Sequence, residues 1–542
     1  MTAPIPEARP FDVCGDLPKG TTLLQASAGT GKTFTIAALT TRYVAEGILP
    51  IDRLLVITFT RMATGELRER VRERLVDAYD GLVDFLDGAG GHEDDEVVQL
   101  LVRGPVDEVE RRRDRLGKAI ADFDAATIET THGFCLQVLY GLGTAGDVDR
   151  EVTLVEDVSD LMEEVVDDLY LRKFATRPNP LRFTRDEAME IAKFVLGHPD
   201  AAIVPPLSQQ QDLPAIRRRF AEAVRDEIEH RKRTLKILTY DDVLLRLRET
   251  LVDQARGPEA CRRLRDRYDV VLVDEFQDTD PVQWDIMHEA FGLGGATLVL
   301  IGDPKQAIYA FRGADVHAYL SAHRVVRSEW TLDVNWRSDQ ALLDAYDALF
   351  GNAQLGYADI TYRHIRAADA HQEERLAGAP EPAPLRMRVL HGSDGLVPLT
   401  AQRREPKTPE ARQYLARDLA ADVVALLSAR PQLVTRRRDG TETGRTELHP
   451  GHIAVLVRAN AHAVLVRDEL HAAGVPAVIG GAGSVFGTKP AQEWLRLLEA
   501  LERPTARDRA SLAALTSFVG WSAEEVASAI GVCPCCKMAT LG

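Results

Sequence analysis

The stretch Gln25 to Thr35, which reads Q-A-S-A-G-T-G-K-T-F-T, constrains the fold more than any other part of this chain. A short apolar run that ends at Leu24 precedes it, and a helical pattern through Ile36, Leu39 and Tyr43 follows it. Strand, glycine-rich loop and helix in this order form a phosphate-binding loop, because successive backbone N–H groups then face the phosphates at the positive end of the helix. The stretch therefore predicts an α/β P-loop fold.

Residue types within the loop match the chemistry of a bound triphosphate. Gly29 and Gly31 let the backbone turn without a Cβ, Lys32 is expected to reach the β- and γ-phosphates, and the Thr33 hydroxyl is expected to hold Mg²⁺. The general pattern has a glycine where this chain has Ala26. The residues predicted to contact the nucleotide are Ala26, Ser27, Ala28, Gly29, Thr30, Gly31, Lys32 and Thr33.

Two carboxylates follow another apolar run. Val270 to Val273 predicts a buried strand, and Asp274 and Glu275 come directly after it. At the carboxyl end of a strand beside the loop, Asp274 is expected to bind Mg²⁺, directly or through water. Glu275 is expected to orient and deprotonate the attacking water.

Strands and helices alternate through much of the chain. Apolar runs at Leu54 to Thr58 and Thr297 to Ile301 predict further buried strands, and Thr127 to Leu139 is expected to return to the same sheet. Another strand and a helix are expected at Ile453 to Leu470. This alternation predicts a doubly wound parallel sheet with ligands at the carboxyl ends of its strands.

Charge and cysteine content limit the classes of protein. The formal net charge of −17 argues against a basic coat for nucleic acid, so any path for DNA must be a local groove. Six cysteines, of which Cys14, Cys135 and Cys261 are scattered, indicate reduced cytosolic thiols. The thiols of Cys533, Cys535 and Cys536 lack a fourth ligand for zinc or an iron–sulfur cluster. No apolar run is long enough for a membrane span, and a cytoplasmic protein is expected.

Six strings of residues occur in the order that one helicase family uses. They are A-S-A-G-T-G-K-T-F-T-I, V-I-T-F-T-R-M-A-T-G-E-L-R-E-R-V, T-T-H-G-F-C, L-V-D-E-F-Q-D-T-D-P-V-Q-W, I-G-D-P-K-Q-A-I-Y-A-F-R-G-A-D and V-N-W-R-S. With them the chain resembles superfamily 1 DNA helicases of the UvrD/Rep kind, and within that family the RecB group. The resemblance implies ATP and Mg²⁺ as cofactors.

Roles at the nucleotide follow from the resemblance at matching positions. Gln306 would sense the γ-phosphate, Trp336 would stack on the adenine, and Arg337 would act as an arginine finger from the second motor domain. A cation brought across a domain cleft would stabilise charge in the transition state and couple closure to hydrolysis.

Contacts with DNA are also implied by the resemblance. Phe59, Tyr309 and Phe311 match aromatic residues that pack against the bases of a single strand, which suits a motor that accepts any sequence. Weaker candidates for backbone or coupling contacts are Thr58, Thr60, His132 and Arg312.

The resemblance also implies the division into domains. At 542 residues the chain is too long for one core. The expected fold has two RecA-like parallel-sheet motor domains with helical insertions, the second of them incomplete. The first motor domain (1A) would comprise residues 1–80 and 240–325, a helical insertion (1B) 81–239, a partial second motor domain (2A) 326–483, and the start of a 2B subdomain 484–542.

Some features of the family have no counterpart. Neither its later helicase motifs nor its nuclease carboxylates are found before Gly542, so the chain resembles the first half of a RecB-type protein. The leading hypothesis is a 3′-to-5′ DNA helicase that acts on single strands and DNA ends in break repair, beside RecC- and RecD-like subunits. The alternatives are an ATP-dependent DNA-binding or assembly module without unwinding activity, and a stand-alone UvrD-like or AddA-like repair helicase.

Overall fold

The structure is a computed structural model that describes residues 9–89, 94–143, 152–174, 183–198, 201–206, 212–308, 315–326, 328–351, 353–480 and 485–529. The chain divides into two units, of which the first consists of Met1–Glu374 with Arg436–Glu442. The second unit consists of Arg375–Thr435 with Thr443–Gly542.

Short apolar runs form several of the strands. The strands are β1 (Arg9–Pro10), β2 (Thr21–Ala26), β3 (Leu54–Thr58), β4 (Thr127–Thr130), β5 (Thr153–Val155), β6 (Ile237–Thr239), β7 (Val270–Val273), β8 (Thr297–Gly302), β9 (Ser328–Leu332), β10 (Val334–Asn335), β11 (Arg366–Ala367), β12 (Leu376–Ala377), β13 (Gln432–Arg436) and β14 (Glu442–Glu447). The strands predicted at 54–58, 270–273 and 297–301 are confirmed, and β4 lies where the chain was expected to return to the sheet.

Helices connect and cover these strands. They are α1 (Lys32–Ala45), α2 (Arg61–Leu86), α3 (Glu96–Leu101), α4 (Val106–Ala121), α5 (Thr131–Leu142), α6 (Ser159–Phe174), α7 (Arg185–Gly197), α8 (Leu213–Leu235), α9 (Tyr240–Val252), α10 (Gly257–Arg267), α11 (Pro281–Met287), α12 (Val316–Val325), α13 (Gln340–Phe350), α14 (Thr408–Ser428), α15 (Asn460–Ala472), α16 (Lys489–Glu502), α17 (Arg507–Ala514) and α18 (Ala523–Ala529). Within the described ranges, no helix combines the length and the apolar character that crossing a bilayer requires.

A seven-stranded parallel sheet lies at the centre of the first unit. Its strand order is β1-β9-β2-β8-β7-β3-β4, and each neighbouring pair is parallel. Side chains alternate between its faces, so Leu55 joins a core with Phe134 of α5, while Leu54 joins a second core with Leu39 of α1. Burial on both faces explains why the central strands are continuous apolar runs.

Helices α6, α7 and α8 form a separate hydrophobic cluster within the first unit. A buried ion pair connects this helical insertion to α9: Lys232 Nζ on α8 lies 2.6 Å from Asp242 Oδ1, and it also contacts Glu229. Asp242 accepts a hydrogen bond from the Thr239 backbone N–H, which completes a capping box at the start of α9. One carboxylate therefore neutralises a buried amine and begins a helix.

The second unit has a much smaller core. Helices α14 and α15 pack around Val423 and Leu470, and β12, β13 and β14 form a three-stranded antiparallel sheet. The prediction of a strand at the start of 453–470 was wrong. Although 453–457 lies wholly within the described residues, it forms no strand, and Leu456 is 96% exposed. An apolar run becomes a buried strand only where neighbouring strands pair with it, and sequence pattern alone does not reveal whether they do.

The domain boundaries inferred from the resemblance stay a prediction. Residues 328–332, which we expected in the second motor domain, form β9 and pair with β2 in the central sheet. Residues 81–239 contain the insertion of α6 to α8 but also strand β4 of that sheet.

The buried pair of Lys232 and Asp242 leads to a first prediction. Replacing Asp242 with Ala leaves a buried ammonium group short of one partner and removes a cap, so the free energy of unfolding should fall by about 3 kcal/mol. The double variant Lys232→Met/Asp242→Asn removes both charges and should recover most of that loss. Thermal unfolding of the variants measures both effects.

Glu229→Gln provides the control, because this partner of Lys232 is partly exposed and should contribute less than about 1 kcal/mol. A double variant as unstable as Asp242→Ala would show that the buried charge is not the cause.

Candidate nucleotide and nucleic-acid site

The parallel sheet brings the predicted site residues to one edge. Parallel strands all end on the same side, so the segments that follow β9, β2, β8, β7, β3 and β4 form a row along that edge. The predicted nucleotide residues follow β9, β2, β8 and β7, whereas Phe59 and His132 follow β3 and β4. Two predicted sites therefore lie side by side on one sheet.

Helix α1 begins at the glycine-rich loop with an open N-terminus. Gly29 has φ +80° and Gly31 has φ +86°, which is the left-handed region that favours glycine. Within the described residues no side chain caps α1, and its first turn carries no acidic residue. Unpaired N–H groups and the helix dipole together make this end suited to an anion.

The N-W-R-S segment, which begins at Asn335 in β10, is hydrogen-bonded to the loop. Asn335 Nδ2 donates to the Ala28 carbonyl at 2.9 Å, and the Trp336 backbone N–H donates to the Gly29 carbonyl at 2.7 Å. A Cβ added at Gly29 would lie 2.7 Å from Arg337 Cβ and 3.0 Å from Asn335 Oδ1. Gly29 is thus required by close approach as well as by its φ angle, and Arg337 lies directly beside the loop.

A chain of polar contacts links Lys32 to Gln306. Lys32 Nζ lies 2.5 Å from Glu275 Oε2, which also accepts a hydrogen bond of 2.7 Å from Gln277 Nε2. Gln277 Oε1 accepts from the Asp303 backbone N–H at 2.9 Å, and Gln306 Nε2 donates to Asp303 Oδ2 at 3.0 Å. The segments that follow β7 and β8 are therefore held to each other and to the loop lysine.

Two backbone features support this chain of contacts. Glu275 adopts φ +50° and ψ +41°, a left-handed conformation that is unfavourable for a residue with a side chain. A Cβ at Gly302, the last residue of β8, would lie 2.6 Å from Gln277 Oε1. Glycine at 302 therefore leaves room for the side chain that joins Glu275 to Asp303.

Carboxylates crowd the carboxyl end of β7. Desolvation by the surrounding protein and the Glu275 charge raise the pKa of Asp274 to about 7, although Lys32 opposes the shift. The same causes raise the pKa of Asp278 to about 6. Asp278 Oδ1 is buried without a hydrogen-bond partner among the described residues. The negative charge here exceeds what Lys32 compensates.

This donor set fits a hard divalent cation. A cation would stabilise the charged form of the Asp274 carboxylate, which burial and Glu275 disfavour. The Thr33 hydroxyl, in the first turn of α1, offers a second oxygen ligand. No group of three or more His, Cys, Asp or Glu side chains suited to a metal occurs within the part of the chain that the structure describes. A cation here would thus take much of its coordination from water and phosphate, as Mg²⁺ commonly does.

The residues predicted to contact DNA differ in their surroundings. Phe59 is half-buried after β3, and Thr60 is exposed and accepts a hydrogen bond from the Ala63 N–H as the N-cap of α2. Thr58 is only 1% exposed, and its hydroxyl is buried without a partner among the described residues. As it stands, Thr58 is suited to supporting this edge rather than to direct contact with a strand.

His132 belongs to a cluster that sequence inspection only partly identified. Its ring meets the edge of Tyr240 at 5.4 Å, and Arg61 donates to the Tyr240 hydroxyl at 3.0 Å. Burial lowers the pKa of His132 below its ordinary value, against the opposing charge of Asp241. Arg61 directly follows the F-T pair in V-I-T-F-T-R, and that position was the available signal for it.

Six predicted residues lie outside the described residues: Tyr309, Phe311, Arg312, Cys533, Cys535 and Cys536. Gln306 is described and contacts Asp303, while Trp336 is 44% exposed next to the loop. Asn335, Gln277 and Asp303 were not predicted individually. All three stand inside the strings that carried the resemblance, and a search for polar side chains within those strings would have found them.

A cavity of about 1410 Å³ lies away from the loop, between the helical insertion and α9. Lys232, Tyr240 and Asp242 are among the residues that line it. The predicted nucleotide residues are not among them, so this cavity does not belong to the phosphate site.

Comparison with known proteins supports the resemblance to UvrD/Rep helicases. A family model described as the UvrD/REP helicase N-terminal domain matches residues 13–326. The RecBCD enzyme subunit RecB of Mycobacterium tuberculosis is 44% identical over 527 residues, which cover 96% of this chain and 45% of that protein. The same subunit of Escherichia coli is 26% identical over 640 residues, covering 94% of this chain and 52% of that protein.

Similarity extends beyond the loop residues. The RecB subunit of Mycolicibacterium smegmatis is 43% identical over 523 residues, covering 96% of this chain and 45% of that protein. The chain therefore spans about half the length of the curated relatives it matches.

The raised pKa of Asp274 leads to a second prediction. Because its pKa is about 7 when folded and about 3.9 when unfolded, the folded state binds more protons between these values, and stability falls as pH rises through that window. Asp274→Asn should therefore raise the free energy of unfolding at pH 8 by about 1–3 kcal/mol, with a smaller gain at pH 5.5. Thermal unfolding at the two pH values measures both gains.

Asp269→Asn is the matched control at the other end of β7, where Asp269 pairs with Arg53. This change should bring no gain at either pH. A pH-independent effect of Asp274→Asn would contradict the electrostatic explanation.

Proposed function

The chain belongs to the UvrD/REP helicase family, and from this membership we propose that its first unit binds and hydrolyses ATP with Mg²⁺ at the glycine-rich loop. The observation that carries the proposal is the pairing of Lys32 with Glu275 beside an uncapped α1. A phosphate-binding amine and a candidate base are thus already in contact, next to N–H groups that suit an anion.

Binding of the triphosphate would use the loop backbone and Lys32. The N–H groups of Gly29 to Thr33 would donate to phosphate oxygens, and Thr33 with Asp274 would hold the metal. When bound, Mg²⁺ supplies positive charge to the β- and γ-phosphates. Trp336, partly exposed beside the loop, would take the adenine on its ring.

Binding would also release Glu275. In the structure its Oε2 is held by Lys32 and Gln277. Phosphate oxygens would compete for the Lys32 amine, and the freed carboxylate could then accept a proton from the attacking water. Gln277 would keep Glu275 oriented during that exchange, because its other end is fixed by the Asp303 backbone.

Two further side chains are suited to the γ-phosphate. Arg337 lies beside Gly29 and would stabilise charge that develops on the transferred group. Gln306 is held by Asp303, and through Gln277 it is connected to Glu275. We propose that this connection reports the state of the nucleotide to the neighbouring nucleic-acid residues.

For the whole protein we propose ATP-driven translocation on single-stranded DNA in the 3′-to-5′ direction, with unwinding of duplex ends in break repair. Support comes from the curated relatives, which are named as RecB subunits of a RecBCD enzyme. By analogy, RecC- and RecD-like subunits would be the partners of this chain. Phe59 follows β3, at the same edge of the sheet as the proposed nucleotide site, and would stack on the bases of the strand.

A second candidate is an ATP-dependent DNA-binding or assembly module that does not unwind DNA. The apolar segment 453–457 favours it, because these described residues form no strand and expose Leu456. A sheet that lacks this strand would be a poor second motor domain, which translocation requires. The two candidates differ in whether the chain alone displaces one strand of a duplex.

The hydrolysis proposal is tested by two substitutions at the loop. Lys32→Ala should weaken ATP binding and lower turnover by at least about 100-fold, because the ammonium group that binds the β- and γ-phosphates is lost. Glu275→Gln should bind ATP but lower turnover by about 100-fold or more, because the amide is not a base. Measurements of ATP binding and of hydrolysis with single-stranded DNA separate the two effects.

Lys118→Ala and Glu110→Gln on the exposed face of α4 are the matched controls and should behave as the unaltered protein. Unchanged turnover in both loop variants would refute the proposed site.

The DNA proposal is tested at Phe59. Phe59→Ala should weaken binding of single-stranded DNA about tenfold, since one stacked base is worth roughly 1–3 kcal/mol. The loss should be similar for oligothymidine and oligoadenine, because stacking does not read base edges. Phe85→Ala, at an exposed aromatic residue of α2, is the control. Equal DNA affinity of the two variants would remove Phe59 from the contact surface.

A further inference from the structure

A short charged segment at 436–442 belongs to the first unit. These residues form the tip between β13 and β14. The tip is closed by hydrogen bonds from the Arg437 N–H to the Thr441 carbonyl at 2.9 Å and from the Gly440 N–H to the Arg437 carbonyl at 2.9 Å. Gly440 adopts φ +84°, as such a turn requires.

Arg438 extends from this tip to Trp336. Its guanidinium carbon lies 5.3 Å from the centroid of the Trp336 ring, within the range of a cation–π contact. One of its nitrogens also donates to the Asp94 carbonyl at 3.1 Å and lies 3.9 Å from Glu96 Oε1, just before and at the start of α3. Arg438 is therefore fixed at both the ring and a second segment.

The Trp336 ring remains 44% exposed although Arg438 covers one of its faces. Its Cδ1 edge faces the loop, 3.7 Å from the position that a Cβ on Gly31 would take. The ring is therefore partly open to solvent beside the loop. A planar group that enters beside the loop would meet an open aromatic face whose reverse side is already supported.

We propose that Arg438 is a positioning residue of the nucleobase subsite, holding the Trp336 ring so that its open face receives the base of the bound nucleotide. This inference rests on the proposed ATP site. It adds a residue from a distant hairpin and a specific task, namely to order the ring before the base arrives. Ordering a side chain in advance lowers the cost of fixing it on binding.

The test compares ATP with inorganic tripolyphosphate, which has no base, on the 542-residue chain at one Mg²⁺ concentration. Arg438→Ala should weaken ATP binding about three- to fivefold, the loss expected for an exposed cation–π contact, and should leave tripolyphosphate binding unchanged. Arg438→Lys keeps a cation over the ring and should stay within about twofold of the unaltered protein. Arg437→Ala, at the exposed neighbour in the same tip, is the control and should change neither affinity.

Three results would overturn the inference. Equal weakening of ATP and tripolyphosphate would indicate a general structural role, and unchanged ATP affinity would remove Arg438 from the subsite. Tighter ATP binding by Arg438→Ala would mean that Arg438 and the base compete for one face. If Lys32→Ala abolishes ATP binding while Arg438→Ala changes nothing, the proposed function stands and only this inference fails. If the unaltered chain binds no ATP, both fail.

Discussion

Two hydrogen bonds to the carbonyls of Ala28 and Gly29 hold the rest of the candidate site in place. They come from Asn335 and Trp336, which lie about 300 residues further along the chain. A side chain at position 29 would separate the two segments, because a Cβ there would collide with Arg337. The glycine-rich loop, Trp336 and Arg337 therefore form one assembly. It depends on the absence of a side chain at Gly29.

The same edge of the sheet is electrostatically unfavourable. Asp274 and Asp278 have raised pKa values, and Glu275 adopts a left-handed backbone conformation. Each feature costs free energy of folding. Burial on both faces of the seven-stranded sheet offsets that cost elsewhere in the unit. Such local conflict between folding and charge is expected where a protein is built to bind a cation and phosphate.

Local structure was predicted well where the pattern of residues within one segment was sufficient. Leu54–Thr58 and Val270–Val273 are buried strands with the predicted bounds, and each of them pairs with a strand on both sides. The pairing of β9 with β2 and the contact of Arg438 with Trp336 were not predictable in this way. Both depend on contacts between distant segments, and Ile453 to Val457 failed as a strand for lack of such contacts.

Gly302 shows how far the site extends into the backbone. A Cβ added at this position would lie 2.6 Å from Oε1 of the Gln277 side-chain amide. Alanine at this position would push that amide aside and loosen its hold on both Glu275 and Asp303. A Cβ at the end of β8 would also lie 3.1 Å from the backbone nitrogens of Phe276 and Gln277, so any larger residue would require this segment to shift. The contacts that hold Glu275 thus depend on the absence of a side chain at position 302 as well as on the polar groups that form them.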